Sequence, residues 1–380
     1  MAKLGDIFIL QMGKTPARAN KEYWNNGDNT WVSISDLSTY DKYVGETKET
    51  ISALAIKESG IKPTPANTVI MSFKLTIGKT AITVKPTYTN EAIMAFIPNG
   101  KYPVHPSYFY HFFKGRDWSK GTNRAVMGTT LNKATLSEVE ISVPSLAEQI
   151  DIAERLDKVD TLITQRQNQL SKLEQLVKSR FIELFGDPVN NSKGLPELTL
   201  PELGEFGRGV SKHRPRNDPK LLGGKYPLIQ TGEVANSELY ITSYENTYSE
   251  LGLKQSKMWQ AGTLCITIAA NIAKTAILTF DACFPDSVVG FKANDKTNNI
   301  FIHYWFSFFQ AILEAQAPES AQKNINLKIL SELKIIVPPI EQQNEFVTFV
   351  EQTDKSKLAI QQSLDKLETL KKALMQQYFE

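Results

Sequence analysis

The chain repeats itself at a spacing of about half its own length. Val143-Pro144-Ser145-Leu146-Ala147-Glu148-Gln149 recurs as Val337-Pro338-Pro339-Ile340-Glu341-Gln342-Gln343, a shift of 194 residues. The same shift relates Leu170-Ser171-Lys172-Leu173-Glu174-Gln175-Leu176 to Leu364-Asp365-Lys366-Leu367-Glu368-Thr369-Leu370. A period this long means duplicated domains rather than a solenoid of small repeats. It divides the chain into residues 1–145, 146–190, 191–336 and 337–380.

The first and third segments read as mixed globular blocks. Runs such as Thr68-Val69-Ile70-Met71-Ser72-Phe73 and Thr80-Ala81-Ile82-Thr83-Val84 have strand character and are punctuated by prolines. The second and fourth segments are helical. Residues 147–185 contain neither Gly nor Pro, and Leu156, Val159, Ile163, Leu170, Leu173, Val177 and Leu184 fall on alternating three- and four-residue steps. Arg166 and Arg180 interrupt that stripe. In residues 341–380 the stripe is Val350, Ile360, Leu364, Leu367 and Leu374, interrupted by Thr353, Lys357 and Lys371. Each helix should run about 38 residues, roughly 57 Å. A seam this narrow and long predicts that the two helices pair with each other, as an antiparallel coiled coil.

The globular blocks align in frame and differ in detail. Leu4-Gly5-Asp6 matches Leu203-Gly204-Glu205, and Trp31-Val32-Ser33-Ile34 matches Tyr226-Pro227-Leu228-Ile229. Ile77-Gly78-Lys79-Thr80 matches Ile272-Ala273-Lys274-Thr275, with Ala273 where Gly78 sits. Leu131-Asn132 matches Ile325-Asn326 ahead of each Val-Pro motif. Two similar frames with different loops suggest modules that recognise two different things. The fold class is therefore mixed α/β (α+β), with two globular domains in pseudo-twofold repeat separated by two long helices.

Several loops suit DNA. Lys14, Thr15 and Arg18 follow the first Leu-Gly start; Lys212, His213, Arg214 and Arg216 follow the second. Lys74 and Lys79 flank a predicted hairpin turn, Lys274 matches Lys79, and Asn123, Arg124, Lys323 and Asn324 add donors before the helices. Lys and Arg neutralise phosphates, and Arg also reads guanine edges. The net charge is only +2, but it is unevenly placed: +5, −2, +1 and −2 over the four segments.

Catalytic and metal signatures are missing from the pattern. Gly13-Lys14-Thr15 and Gly78-Lys79-Thr80 fail as phosphate loops because Phe8 and Phe73 occupy the first-glycine position. Gly204, Gly207 and Gly209 read as turn chemistry rather than a nucleotide fingerprint. His105, His111, His213 and His303 lack metal-ligand spacing. Cys265 and Cys283 read as reduced thiols, and no run is long enough for a membrane span, so the chain reads as cytoplasmic.

The order of globular block, Val-Pro-x-x-x-x-Gln helix, globular block and Val-Pro-x-x-x-x-Gln helix resembles the specificity subunit (HsdS) of type I restriction–modification systems. The resemblance covers almost the whole chain. It is carried by residues 136–149 and 330–343, by the helix ends Phe185-Gly186-Asp187 and Tyr378-Phe379-Glu380, and by the Ile-Gly-Lys-Thr-Ala-Ile turn. It implies two target recognition domains, each reading one half of a bipartite, asymmetric site in double-stranded DNA, with the helices setting the spacer. It also implies two methyltransferase subunits as partners, bringing S-adenosylmethionine, and restriction subunits bringing ATP and Mg²⁺. The chain itself would perform no chemistry. A specificity subunit for a fused methylase–nuclease, or a coiled-coil scaffold without DNA, are the alternative readings.

Overall fold

The computed structural model describes residues 1–74, 76–118, 123–125, 128–316 and 325–379. It divides into two units, Met1–Gln167 with Gln362–Glu380, and Asn168–Gln361. The division falls within the two long helices, Leu146–Phe185 and Ile340–Phe379, so each unit holds one globular block and a part of both helices.

The first unit is built on an antiparallel sheet ordered Phe8–Met12, Ile93–Pro98, Val69–Ser72, Thr80–Ile82. The second repeats that order with Gly204–Arg208, Val288–Ala293, Leu264–Thr267, Thr275–Leu278 and adds Tyr240–Ile241 at the edge. The central strands are buried along their length, which accounts for their unbroken apolar runs. A helix covers each sheet, Pro106–Gly115 in one unit and Asn299–Gln316 in the other. Both are rich in Phe, Tyr and Trp: Phe109 and Phe113 pack edge-on and tilted against Phe8 and Phe96 of the first sheet, and in the second helix Trp305 stacks on Phe309.

The sheet registers correct two alignments. The parallel pairs Trp31 with Tyr88 and Leu228 with Cys283 match Trp31 to Leu228 rather than to Tyr226. Leu4 opens the short helix Leu4–Ile7, and its counterpart Leu200–Leu203 opens at Leu200, so Leu4 corresponds to Leu200 and Ile7 to Leu203. The Leu-Gly identity between Leu4-Gly5 and Leu203-Gly204 is coincidental: Gly5 lies inside a helical turn, whereas Gly204 begins a strand.

The helices pair as the seam predicts. In the first unit Arg155 interacts with Tyr378 and Asp160 meets Lys371 at 2.5 Å, so one helix ascends as the other descends. Leu156 and Val159 are buried, and Ile163, Leu367 and Leu374 are half-buried. In the second unit Arg180 meets Glu345 at 2.7 Å and Phe181 packs on Phe346, with Val177 and Val350 in the same core. Leu170, Leu173 and Ile360 are half-buried, while Leu364, in the first unit, is buried. Two of the polar interruptions, Arg180 and Lys371, are thus ion pairs between the helices. The far end of each helix packs on the block pinned by the other helix: Phe379 lies against Tyr108 and Phe112, and Phe181 and Phe185 against Phe301.

The repeated glutamine explains the repeated motif. Gln149 is fully buried in the first turn of its helix; its Nε2 donates to the carbonyls of Pro103 and Pro144, and its Oε1 accepts from the His105 amide. Gln343 is equally buried, donates to Lys296 and Pro338, and accepts from the Thr297 hydroxyl and the Asn298 amide. Each glutamine therefore pins a helix start to the loop ahead of the sheet-covering helix. Ser145 and Glu148 add a reciprocal cap at the first helix, and their hydrogen bonds hold the Glu148 carboxyl below its ordinary range.

The block-to-helix junctions are equivalent in place and exchanged in chemistry. Ile82 N donates to the Lys42 carbonyl and Ile277 N to the Leu239 carbonyl, making Lys42 and Leu239 equivalent. On the helices, Ile163 and Lys357 are equivalent by the 194-residue shift. In the first unit Lys42 reaches Asp157 at 2.5 Å beside the buried His111, 2.7 Å from the same carboxylate. Burial alone would raise the Asp157 carboxyl, but the hydrogen bonds from His111 and Lys42 outweigh it and hold it below its usual value. In the second unit the lysine comes from the helix: Lys357 lies 3.5 Å from Glu238 and 4.0 Å from Asp354. One junction thus takes its lysine from the globular block, and the other from the helix.

Replacing Gln149 or Gln343 by Leu leaves buried amides and carbonyls unpaired, and each change should lower stability by about 2–4 kcal/mol in denaturant melts. Lys42→Leu should lower the melting temperature, and adding Ile163→Lys should restore part of the loss. A double-mutant cycle that shows strict additivity would refute the coupling.

Candidate nucleic-acid interface

Two loops meet at one end of each sheet, and the main chain brings them there. In the first unit Gly13 N donates to Ile93 O and Lys14 N to Thr89 O, while Phe73 N donates to Ala92 O. In the second, Gly209 N donates to Val288 O, Val210 N to Phe284 O, and Ile268 N to Ser287 O. The basic loop and the hairpin turn therefore both hang from the short segment that enters the central strand. Glycine is required at the start of the basic loop, since a Cβ on Gly13 would strike the carbonyls of Thr89 and Asn90, and one on Gly209 those of Phe284 and Pro285.

The hairpin turns are the same despite the Gly-to-Ala exchange. Gly78 N reaches Ser72 O at 2.9 Å and Ala273 N reaches Thr267 O at 2.8 Å. The buried hydroxyls of Ser72 and Thr267 accept from Lys79 N and Lys274 N at 3.1 Å. Gly78 has φ +88° and Ala273 φ +57°, so the second turn adopts the left-handed conformation with a side chain in it. That costs about 1–2 kcal/mol. The turn next meets the chain that leads to the long helix, through Leu131 N to Phe73 O and Ile325 N to Ile268 O.

The basic residues are placed on these loops but differ in how free they are. Arg18 stacks over Trp24 at 3.8 Å and Trp31 at 4.9 Å, and pairs with Glu49 at 2.5 Å. Lys14 donates to the Ser59 carbonyl, and Thr15 donates to Glu91 and accepts from Asn90. Lys74 lies over Phe73, and the Lys79 side chain is exposed. In the second unit Arg216 pairs with Asp286, Arg214 lies 3.6 Å from the same carboxylate, and His213 contacts Asp218 at 3.1 Å. Lys212 is exposed and Lys274 half-buried. Asn123 and Arg124 lie on the strand Asn123–Ala125, paired with Gly128–Thr130; their side chains, and all of Lys323 and Asn324, lie outside the described residues.

Glu91 and Asp286 were not singled out by the sequence pattern. They occupy equivalent positions, two residues before Ile93 and Val288, and each holds the basic loop of its own unit. A shift of 195 residues relates them, one more than the shift of the helices, and only the strand register reveals it. Among the described residues no group of His, Cys, Asp and Glu is arranged to hold a metal, and no helix is long and apolar enough to cross a membrane.

A duplicated sheet domain with paired loops, alternating with two long helices, is the architecture of a two-module recognition protein. Residues 1–175 and 197–371 each match the type I restriction modification DNA specificity domain, and the chain belongs to that family. It is 34% identical over 273 residues to the type I restriction enzyme MjaIX specificity subunit of Methanocaldococcus jannaschii, covering 67% of this chain and 62% of that protein. The chain thus spans less than two thirds of that relative's length. It is 23% identical to the EcoprrI specificity subunit of Escherichia coli, over 92% of this chain and 86% of that one. The solved S subunit of the type I restriction-modification system from M. genitalium has the same fold, with TM-score 0.59 at 14% identity, covering 100% of this chain and 95% of that one.

Replacing Ala273 by Gly should relieve the left-handed strain. Once the added freedom of the unfolded glycine is subtracted, a gain of about 0.5–1 kcal/mol is expected in denaturant melts.

Proposed function

We propose that this chain is the DNA-recognition subunit of a type I restriction–modification complex. Residues 1–145 and 191–336 act as target recognition domains 1 and 2, each reading one half of a bipartite site. The observation that carries this reading is the recurrence of one loop pair, hung from one end of one sheet frame, with different side chains in the two copies. Phosphate contacts from Lys14, Lys79, Lys212 and Lys274 would set register, and loop side chains would select bases. Unlike loops imply an asymmetric site. The paired helices supply a stiff separation between the halves, and so the unread spacer.

The partners on this reading are double-stranded DNA, two methyltransferase subunits and restriction subunits. S-adenosylmethionine, ATP and Mg²⁺ belong to those partners, and this chain contributes position rather than bond making. The long helices and the Val-Pro segments are the surface we assign to the methyltransferases. Its place of action is the cytoplasm, with the DNA.

A map of N6-methyladenine in the source strain, with and without this gene, tests the proposal. Loss of methylation at one asymmetric, gapped motif is the expected result. In vitro, specific binding by the assembled complex should weaken steeply with added salt, as phosphate contacts require. Binding that ignores both salt and DNA sequence would instead favour a protein scaffold.

A further inference from the structure

Domain 2 holds an open pocket where domain 1 holds its own side chains. The pairing of Trp31 with Tyr88 and of Leu228 with Cys283, both parallel, makes Trp31 and Leu228 equivalent. In domain 1 Trp31 is fully buried, Trp24 packs on it edge-on, and Arg18 lies over both rings. In domain 2 Leu228 takes the place of that tryptophan and lines a cavity of about 390 Å³, together with Leu222, Tyr248 and Pro285.

The polar lining of this cavity has unused hydrogen-bonding capacity. Asn217, Thr231, Asn246 and Ser287 line it, and none of these side chains has a hydrogen-bond partner among the described residues. Ser211 is decisive. It is 6% exposed, lines the cavity, and its Oγ has no partner. Its equivalent in domain 1, Thr15, two residues after the loop glycine, is saturated by Glu91 and Asn90. In domain 2 the acid at the Glu91 position, Asp286, is turned to Arg214 and Arg216 instead, which leaves the serine free. A buried hydroxyl without a partner costs stability unless a ligand completes it.

We infer that this cavity is the base-reading pocket of domain 2, receiving the hydrogen-bonding edge of one nucleobase of the second half-site. The apolar wall, open where domain 1 has its tryptophan, keeps water from hydrogen bonds made to that edge. Two amides, two hydroxyls and the buried serine suit an edge that offers a donor beside an acceptor, as adenine does to Asn or Gln. The cavity lies between the basic loop, which contributes Arg216, and the hairpin turn, which contributes Ala269 and Ala270, so an edge entering it would pass between the loops assigned to DNA. This inference rests on the DNA-recognition reading above. Domain 1, with its space filled, would read its half-site from loop side chains alone.

The test is selection from a randomised DNA library by the complete complex of this chain with its methyltransferase partners. Wild type would be compared with Asn246→Ala and with Leu228→Trp, which refills the pocket as domain 1 does. The expected result is a drop of about 10- to 100-fold in discrimination at a single base pair of one half-site. The other half-site, the spacer length and the salt dependence should be unchanged. If Leu228→Trp does not fold, Asn246→Ala and Ser211→Ala carry the test, with a melting curve as the folding control. Folded variants that select the wild-type motif at full stringency overturn the pocket alone. A wild-type complex that selects no sequence overturns the DNA-recognition reading, and the pocket with it.

Discussion

Everything in each unit is referred to a buried glutamine. Gln149 and Gln343 spend their amides on main-chain groups, in the second unit with the Thr297 hydroxyl as well, and so lock a helix start to the globular block whose sheet carries the loops. A side-chain amide suits this task because it presents a donor and an acceptor side by side, without a charge to desolvate. A glutamate would bring buried charge, and a leucine would strand the carbonyls. The Val-Pro lead-in contributes as well, since Pro144 and Pro338 present carbonyls to the amide while their rings fix the approach of the chain. The strongest repeat in the sequence is thus a joint, and its chemistry is directional.

The joint positions the helix, and a second layer of contacts fixes its rotation. The Lys42–Asp157–His111 cluster and the Lys357–Glu238–Asp354 cluster occupy the same place with the cation supplied from opposite sides. Charge is kept near each junction while the residue that carries it changes. A block transplanted onto the other helix would meet either no junction lysine or two, so each globular block is matched to its own helix. On the proposed function, that matching keeps the distance and angle between recognition loops and spacer helix constant within a unit, whichever bases the loops read.

The repeat, the helices and the α+β class were legible because each rests on periodic apolar positions or on a repeated motif. The seam from Leu156 to Val177 and from Val350 to Leu374 is half-buried or buried throughout, and Arg180 and Lys371, which interrupt it, are paired by Glu345 and Asp160. Register inside the globular blocks was less accessible. The matches of Leu4-Gly5 to Leu203-Gly204 and of Trp31 to Tyr226 misaligned the second block on the first, because loops of unequal length shift the frame between one anchor and the next. The free or occupied state of the basic residues was not legible at all: Arg18 is taken up by two tryptophans and Glu49, and Arg216 by Asp286. Such partners come from strands distant in sequence, and a count of lysines and arginines does not reveal them. Ala273 was readable as a departure from Gly78, yet the turn keeps its shape, because the Thr267 hydroxyl and main-chain bonds hold it there.

The way the loops are attached explains how one frame supports two chemistries. The anchors at Gly13, Lys14 and Phe73, and at Gly209, Val210 and Ile268, are main-chain hydrogen bonds. Main-chain bonds do not depend on side-chain identity, apart from the glycine that must let the backbones approach. Loop position is therefore held while every side chain beyond the anchor is released to vary. The equivalent acids illustrate the result. Glu91 closes on a threonine and Asp286 on two arginines, from the same position on the same strand entry. With Trp31 exchanged for Leu228, those few substitutions convert a filled surface into an open polar pocket without moving the sheet beneath. On the proposed function, specificity can diverge between the halves of such a chain at little cost to the frame, because the residues that line the pocket and those that define the fold are largely different residues.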